Sequence, residues 1–227
     1  MTGLNAGIKC VNFFRSILMD LRNIFRHEPP FSLTYLNDSG DAIMNVEEKY
    51  CLWAYRIDYT NQKTERVFTY ELYHQFRLMA GSKPQYYNDL RLDGEIGKRL
   101  ADLELENCGS ATYITQGQFS PDLVIHLAQT NREEEYQKLV IEAKTKYVRN
   151  DELGEAIIKL NHFIRVLSFQ YAILISVNTD FNRLLGQIRA IFPKPKSDNL
   201  LNRFDRIIVM NRYQETFSAR SLLEFCN

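Results

Sequence analysis

The fold is decided by two apolar runs that share one short polar connector, PDLVIHL at residues 121–127 and LVIEAK at residues 139–144. Each run is short, apolar and rich in β-branched residues, which is typical of a strand. Proline is tolerated at the first position of a strand, so Pro121 can open the first run. Together the two runs predict an antiparallel hairpin.

Charged side chains interrupt this apolar hairpin at one end. Strand side chains alternate between faces, so Glu142 and Lys144 lie on the same face, about 6.6 Å apart along the chain. Asp122 opens the neighbouring strand, where the hairpin can bring its carboxylate beside Glu142. Such charges are costly at the end of a buried strand unless they are paired, ligate a metal or reach a cleft. Two carboxylates and a lysine fit a magnesium site, since Mg²⁺ prefers oxygen ligands.

The Glu-x-Lys pattern by itself carries little information, because a chain of this composition contains about one chance match. A second match occurs at Glu47-Glu48-Lys49, where we expect a solvated helix face. The context distinguishes Glu142-Ala143-Lys144: a β run precedes it, and the only Pro-Asp in the chain opens the strand before.

The first part of the chain is predicted to be helical. Apolar residues recur at three- and four-residue steps over residues 13–25 and again over 43–57, with a breaker segment at residues 27–40 between the two helices. The simplest interpretation of these apolar stripes is that they pack in the core of the protein or in a dimer interface. A third helix is predicted over Val67 to Ala80, and Glu71 lies about 100° from the centre of its apolar stripe. Glu71 therefore borders the buried face.

The remainder alternates between strands and helices. Asp93-Gly94 is predicted to be a tight turn after a strand that begins at Leu90. The elements predicted after the hairpin are a helix capped by Asn150 or Asp151, a buried strand at Tyr171–Val177, a helix capped by Thr179 or Asp180 that runs to Phe192, and a last strand at Arg206–Met210.

Pro121-Asp122 and Glu142-Ala143-Lys144, preceded by Glu71 on a helix and followed by helix, strand and helix, resemble the PD-(D/E)XK nuclease superfamily. The resemblance implies an α/β fold with a restriction-endonuclease-like core, a mixed sheet of four to five strands flanked by helices, and an extra N-terminal helical segment. The corresponding division is residues 1–62 for the helical segment and 63–227 for the nuclease-like domain.

The resemblance also implies a role for each matching residue. Asp122 and Glu142 would bind Mg²⁺ or Mn²⁺, with Glu71 as an outer acid near the metal. Lys144 would position or polarise the attacking water. The chemistry needs no His, Cys or Ser nucleophile, and the residues of these types are scattered along the chain.

The charge distribution bears on nucleic-acid binding. The chain has 28 basic and 28 acidic residues, but residues 180–212 contain seven basic and three acidic side chains. This basic end can follow a phosphate backbone, or it can be a solvated helix face. The residues predicted to contact nucleic acid are Lys159, Arg183, Arg189, Lys194 and Lys196.

Composition limits the class of protein. With 45% hydrophobic and 25% charged residues, the chain is globular and not disordered. Its four cysteines are far apart, which favours reduced thiols and a cytoplasmic location. Charged residues interrupt the first twenty positions and no long apolar run occurs, so neither a signal peptide nor a membrane span is expected.

Three hypotheses about function stay open on the sequence. The first is a metal-dependent nuclease that acts on DNA or, as the second substrate class, RNA. The second is a catalytically inactive nuclease-fold module that binds nucleic acid or a protein partner. The third is an α/β interaction protein with a helical N-terminal dimerisation arm. A homodimer is compatible with each of them.

Overall fold

The computed structural model describes residues 30–51, 62–94, 121–127, 134–192 and 203–226, with the side chains of residues 30–33 and 62–64 left aside. These residues form an α/β structure around one mixed sheet. In chain order, the elements are α1 (Pro30–Asn45), α2 (Glu48–Cys51), α3 (Gln62–Ser82), α4 (Pro84–Tyr87), β1 (Leu90–Gly94), β2 (Leu123–Leu127), β3 (Gln137–Lys144), α5 (Asn150–Val166), β4 (Tyr171–Val177), α6 (Phe181–Ile191), a 3₁₀ turn (Phe204–Arg206), β5 (Ile207–Tyr213), β6 (Thr216–Ser221) and α7 (Leu222–Cys226).

The sheet has six strands in the order β1-β2-β3-β4-β5-β6. Strands β1, β2 and β3 pair antiparallel, which confirms the predicted hairpin, with Val124 opposite Val140. Strands β3, β4 and β5 pair parallel through the crossover helices α5 and α6, and β6 returns antiparallel to β5. Because a parallel pair requires such a crossover, the connections from β3 to β5 follow directly from the helical pattern between them.

Helices cover both faces of the sheet. The odd-numbered residues Leu139, Ile141 and Ala143 pack with α1 and α3 on one face. Val140 packs with α5 and α6 on the other face. All seven residues of β4 are buried, as expected for a central strand that is covered on both sides.

A buried carboxylate on α1 accepts hydrogen bonds from residues at the junction of α3 and α4. Asp38 is 2% exposed, and it accepts hydrogen bonds from Lys83 Nζ at 2.5 Å and from the Tyr87 hydroxyl at 2.8 Å. The Tyr35 hydroxyl adds a bond to the carbonyl of Tyr86 at 3.0 Å. At the other end of α1, Arg212 of β5 donates to two carbonyls near the helix C-terminus, where a cation is favourable.

The predicted breaker segment at residues 27–40 is wrong from Pro30 onward, because α1 begins there and runs through Asn37-Asp38-Ser39-Gly40. Proline suits a first helical position. Tertiary contacts surround the turn-forming residues that follow: Asp38 makes the bonds above, and Gly40 packs close to the ring of Phe217, which lies 3.4 Å from where a Cβ would be. The helix that was predicted to follow this segment is therefore already under way at residue 40.

Several other boundaries differ from the prediction. Asp93-Gly94 is not a turn, because Gly94 pairs with Leu123 in the sheet. Helix α5 has Arg149 at its N-cap, without a side-chain bond, while the Asp180 cap of α6 is confirmed by bonds from two backbone N–H groups. The sheet contains six strands instead of four to five, since β6 lies beyond the strand that was predicted to be the last.

The N-terminal segment is described only in part. Residues 30–51 share one core with the sheet, since Ile43 and Val46 pack on the same face as Ile141. The predicted stripe at residues 13–25 lies outside the described residues, as do residues 52–61, so the division at 62 and 63 stays a prediction. Within the described ranges, no helix has both the length and the apolar character that a bilayer crossing requires.

Substitution of Asp38 by Ala is expected to lower the free energy of unfolding by about 2 kcal/mol, because it leaves Lys83 and Tyr87 without their buried acceptor. Urea denaturation measures the change. Asp205→Ala is the matched control: Asp205 forms an exposed ion pair with Arg203, at 3.4 Å, and its loss is expected to cost less than about 0.5 kcal/mol. Equal losses in the two variants would contradict this role for Asp38.

Candidate active site

The β2–β3 hairpin places Asp122 beside Glu142. Asp122 immediately precedes β2, and its backbone N–H donates to the carbonyl of Ile141 at 3.1 Å. The N–H of Ala143 in turn donates to Asp122 Oδ2 at 2.7 Å. These two bonds fix the carboxylate of Asp122 against the backbone on either side of Glu142.

Glu142 is the most buried of the charged groups at this end of the hairpin, with its side chain 8% exposed. Its Oε1 accepts a hydrogen bond from Lys144 Nζ at 3.1 Å, and its Oε2 accepts one from Lys159 Nζ at 2.6 Å. Lys144 comes from the same strand, and Lys159 from the middle of α5. Two ammonium groups therefore compensate one buried carboxylate, as burial of a charge requires.

A third carboxylate reaches the cluster from the opposite layer. Glu65, in the first turn of α3, accepts a hydrogen bond from Lys144 Nζ at 3.1 Å. We refer to Asp122, Glu142, Lys144, Lys159 and Glu65 as the charged cluster. It joins both helical layers to the end of β3.

The structure brings Asp122, Glu142 and Lys144 together, but it does not bring Glu71 to them. Glu71 lies six residues after Glu65, which rotates it by about 240° and moves it about 9 Å along the helix. Its carboxylate accepts a hydrogen bond from Gln75 on its own helix, at 2.7 Å. The acid that α3 contributes is therefore Glu65.

Glu65 was missed because the helix was predicted to start at Val67, whereas α3 begins at Gln62. A signal for it was present in the sequence. Glu65 precedes the buried residues Phe68 and Leu72 by three and seven positions, which places it in line with their stripe. An acid on the apolar face of a helix is the pattern of a buried, paired carboxylate.

The electrostatics of the cluster follow from burial and mutual charge. Burial, followed by the charge of Glu142, raises the pKa of Asp122 to about 7, against the weaker opposing effects of the Ala143 N–H and Lys144. Burial alone would lower the pKa of Lys144, but the carboxylates of Glu142, Glu65 and Asp122 outweigh it and raise that pKa. Lys144 therefore stays charged at neutral pH, while Asp122 can bind a proton.

The donor atoms fit a small hard cation. Asp122 and Glu142 supply carboxylate oxygens, the ligands that Mg²⁺ and Mn²⁺ prefer. Burial and, after it, the charge of Glu142 raise the pKa of Asp122, and a divalent ion bound between the two acids would oppose both effects. As arranged, the part of the chain that is described contains no group of three or more His, Cys, Asp or Glu side chains spaced to hold an ion.

The residues predicted to contact nucleic acid have different surroundings. Lys159 belongs to the charged cluster. The guanidinium of Arg183 lies over the ring of Tyr147, 3.7 Å from its centroid, and Arg189 Nε donates to the carbonyl of Phe225 at 3.2 Å. Lys194 and Lys196 lie outside the described residues.

Comparison with known proteins gives no match: no family model fits the sequence, and no curated protein or solved structure is significantly similar to it. Inference about function therefore depends on the charged cluster and on the order of the elements that form it.

The raised pKa of Asp122 predicts how stability depends on pH when a chelator is present. Between about pH 4, near the pKa of an unfolded Asp, and about pH 7 in the folded protein, the folded state holds a proton that the unfolded chain has lost. The free energy of unfolding should therefore fall as the pH rises across this window.

Asp122→Asn removes this titration. The free energy of unfolding of the variant minus that of the unaltered protein should therefore increase by roughly 2 kcal/mol as the pH rises from 5 to 8. Urea denaturation at the two pH values, in EDTA, measures the difference. Asp89→Asn, at an exposed turn position, is the control. Parallel pH profiles for Asp122→Asn and the unaltered protein would contradict the assignment.

Proposed function

We propose that the protein is a metal-dependent nuclease that hydrolyses phosphodiester bonds of DNA, with RNA as the second substrate class. The observation that carries this proposal is the convergence of Asp122, Glu142 and Lys144 at one end of the hairpin, with bonds from Ala143 N–H to Asp122 and from Lys144 to Glu142. A homodimer and a cytoplasmic location stay predictions from the sequence.

The order of elements supports the same proposal. A helix, α3, is followed by three antiparallel strands, the crossover helix α5 and the parallel strand β4. This is the order that the resemblance to the PD-(D/E)XK nucleases implies for the core. It explains why residues twenty positions apart, Asp122 and Glu142, lie side by side.

Hydrolysis of a phosphodiester needs a deprotonated water and stabilisation of the negative charge that develops on the phosphoryl and leaving oxygens. Asp122 and Glu142 are the residues that would hold Mg²⁺ or Mn²⁺, and that ion would supply Lewis-acid stabilisation and a more acidic water. Lys144 stays protonated between its carboxylate partners, so it presents a fixed positive charge where negative charge develops.

The remaining members of the cluster position these groups. Glu65 holds Lys144 from the α3 side, at 3.1 Å. Lys159 holds the second carboxylate oxygen of Glu142 from the α5 side, at 2.6 Å. Because both partners belong to helices packed on the sheet, the ammonium of Lys144 and the carboxylate of Glu142 have little freedom to move apart.

One observation favours a second candidate, a nuclease-fold module without catalytic activity. Both oxygens of Glu142 accept hydrogen bonds from lysines, so the chain itself already compensates this charge. A cluster that is satisfied in this way can serve stability alone. The two candidates differ in one measurable property, since only the nuclease requires Mg²⁺ or Mn²⁺ for its effect on nucleic acid.

Cleavage of plasmid DNA and of single-stranded oligonucleotides in Mg²⁺ or Mn²⁺ tests the proposal. Asp122→Asn and Lys144→Ala are each expected to reduce the cleavage rate by about 100-fold or more, because they remove an ion ligand and a fixed positive charge. Lys138→Ala is the matched control, since Lys138 lies six residues earlier on the same strand and should leave the rate unchanged. Cleavage that does not depend on Mg²⁺ or Mn²⁺, no cleavage at all, or full activity in both site variants would rule out the metal-dependent nuclease.

The two helix acids provide a sharper comparison within α3. Glu65→Gln is expected to reduce cleavage by about 10-fold, because it frees Lys144 from one of its two carboxylate partners. Glu71→Gln, on the same helix but away from the cluster, is expected to change the rate less than about twofold. A larger loss of cleavage in Glu71→Gln than in Glu65→Gln would favour Glu71 as the site acid, as the sequence predicted. Circular dichroism checks that each variant is folded.

A further inference from the structure

An exposed aromatic side chain follows the charged cluster closely in sequence. Tyr147 follows Lys144 by three residues and is 44% exposed. The guanidinium of Arg183, in the first turn of α6, covers its ring at 3.7 Å from the centroid. Three residues of chain span at most about 10 Å, so the Cα atom of Tyr147 lies within about that distance of the Cα atom of Lys144.

The loop that carries Tyr147 is anchored on both sides. Thr145 and Val148 are buried, with Tyr147 between them. The side chain of Asn178, just after β4, donates to the carbonyl of Thr145 at 2.9 Å. The side chain of Gln187, on α6, donates to the carbonyl of Val148 at 2.8 Å. The backbone around the ring is therefore held in place before any ligand binds, which reduces the entropy cost of binding.

Arg183 is fixed relative to the cluster as well. It belongs to α6, which packs against α5, the helix that carries Lys159. The guanidinium that stacks on the ring thus belongs to the same helical layer as one member of the cluster. Their planar faces offer the kind of surface on which nucleobases stack.

The charges around the pair are nearly balanced. With Arg183 itself included, three basic side chains lie in the pair or near it in sequence, against three acidic ones: Lys146, Arg149 and Arg183, against Asp151, Glu152 and Asp180. Arg149 forms ion pairs with Asp151 at 3.0 Å and with Glu152 at 3.5 Å. Attraction to phosphate is therefore weak here, and stacking is the interaction that this surface offers.

We propose that Tyr147 and Arg183 form a stacking platform for an unpaired base, so that the substrate of the proposed nuclease is single-stranded nucleic acid or the single-stranded end of a duplex. The inference rests on the proposed function for its substrate class. Bases within a duplex already stack on their neighbours, and their faces are not accessible to Tyr147. A base without a partner exposes the face that the platform needs.

Fluorescence anisotropy of a labelled single-stranded DNA oligonucleotide, in EDTA so that no cleavage occurs, tests the platform. Tyr147→Ala is expected to weaken binding by about 5- to 150-fold, the range for loss of one stacked base, whereas Tyr147→Trp should retain it. Because stacking is not an ion-pair interaction, the ratio of the two affinities should change little with salt.

Tyr70→Ala is the matched control. Tyr70 is 56% exposed and also lies beside an arginine, Arg66 at 5.7 Å, but it belongs to α3 in the other helical layer. Its loss should leave the affinity unchanged. An oligonucleotide that contains 2-aminopurine adds a direct readout, because stacking on Tyr147 should quench its fluorescence in the unaltered protein and not in Tyr147→Ala.

Equal affinities in Tyr147→Ala and Tyr70→Ala would overturn the platform, and so would binding to a blunt duplex that is as tight as binding to a single strand. Cleavage in Mg²⁺, measured separately, tests the proposed nuclease. Loss of binding in Tyr147→Ala without any cleavage by the unaltered protein would support the platform and overturn the nuclease. Cleavage that requires Mg²⁺, together with binding that is unchanged in Tyr147→Ala, would support the nuclease and overturn the platform.

Discussion

The ion pairs of Glu142 are the interaction on which the rest of the site depends. A carboxylate that is buried inside a strand loses its hydration, and its burial is costly unless other charges compensate it. Here the compensation comes from Lys144 on the same strand and from Lys159 on α5. Lys144 also contacts Glu65 of α3. Through Lys159 and Lys144, one buried charge therefore links the sheet to both of its helical layers, while backbone bonds at Ile141 and Ala143 hold Asp122 beside it.

The same arrangement leaves Asp122 with unfavourable electrostatics in the absence of a further cation. Its carboxylate is buried beside Glu142, and the bond from the Ala143 N–H offsets only part of the resulting rise in its pKa. A site that holds two acids in such proximity favours the binding of a cation or a proton. Unfavourable electrostatics of this kind are typical of functional sites, where the arrangement that activity requires lowers the stability of the fold.

The local pattern of the sequence was sufficient for the two strands that bring Asp122, Glu142 and Lys144 together. The short, apolar, β-branched-rich runs at residues 121–127 and 139–144 predicted β2 and β3, and their antiparallel pairing brings Asp122 to Glu142. It was not sufficient for α1, where Asn37-Asp38-Ser39-Gly40 has turn-forming composition but is helical. The bonds from Lys83 and Tyr87 to Asp38 cross about fifty residues of chain, and no local propensity reports them.

The sequence by itself determined the hairpin, the crossover helices and the presence of Asp122, Glu142 and Lys144 in the charged cluster. Strand alternation and helical periodicity act over a few residues, so local patterns report them. The tertiary structure alone decided that Glu65 and not Glu71 completes the cluster, that Lys159 shares Glu142, and that Tyr147 stacks with Arg183. These contacts join residues up to 79 positions apart. They depend on how α3, α5 and α6 pack on the sheet, because this packing decides which face and which turn of each helix reach the site.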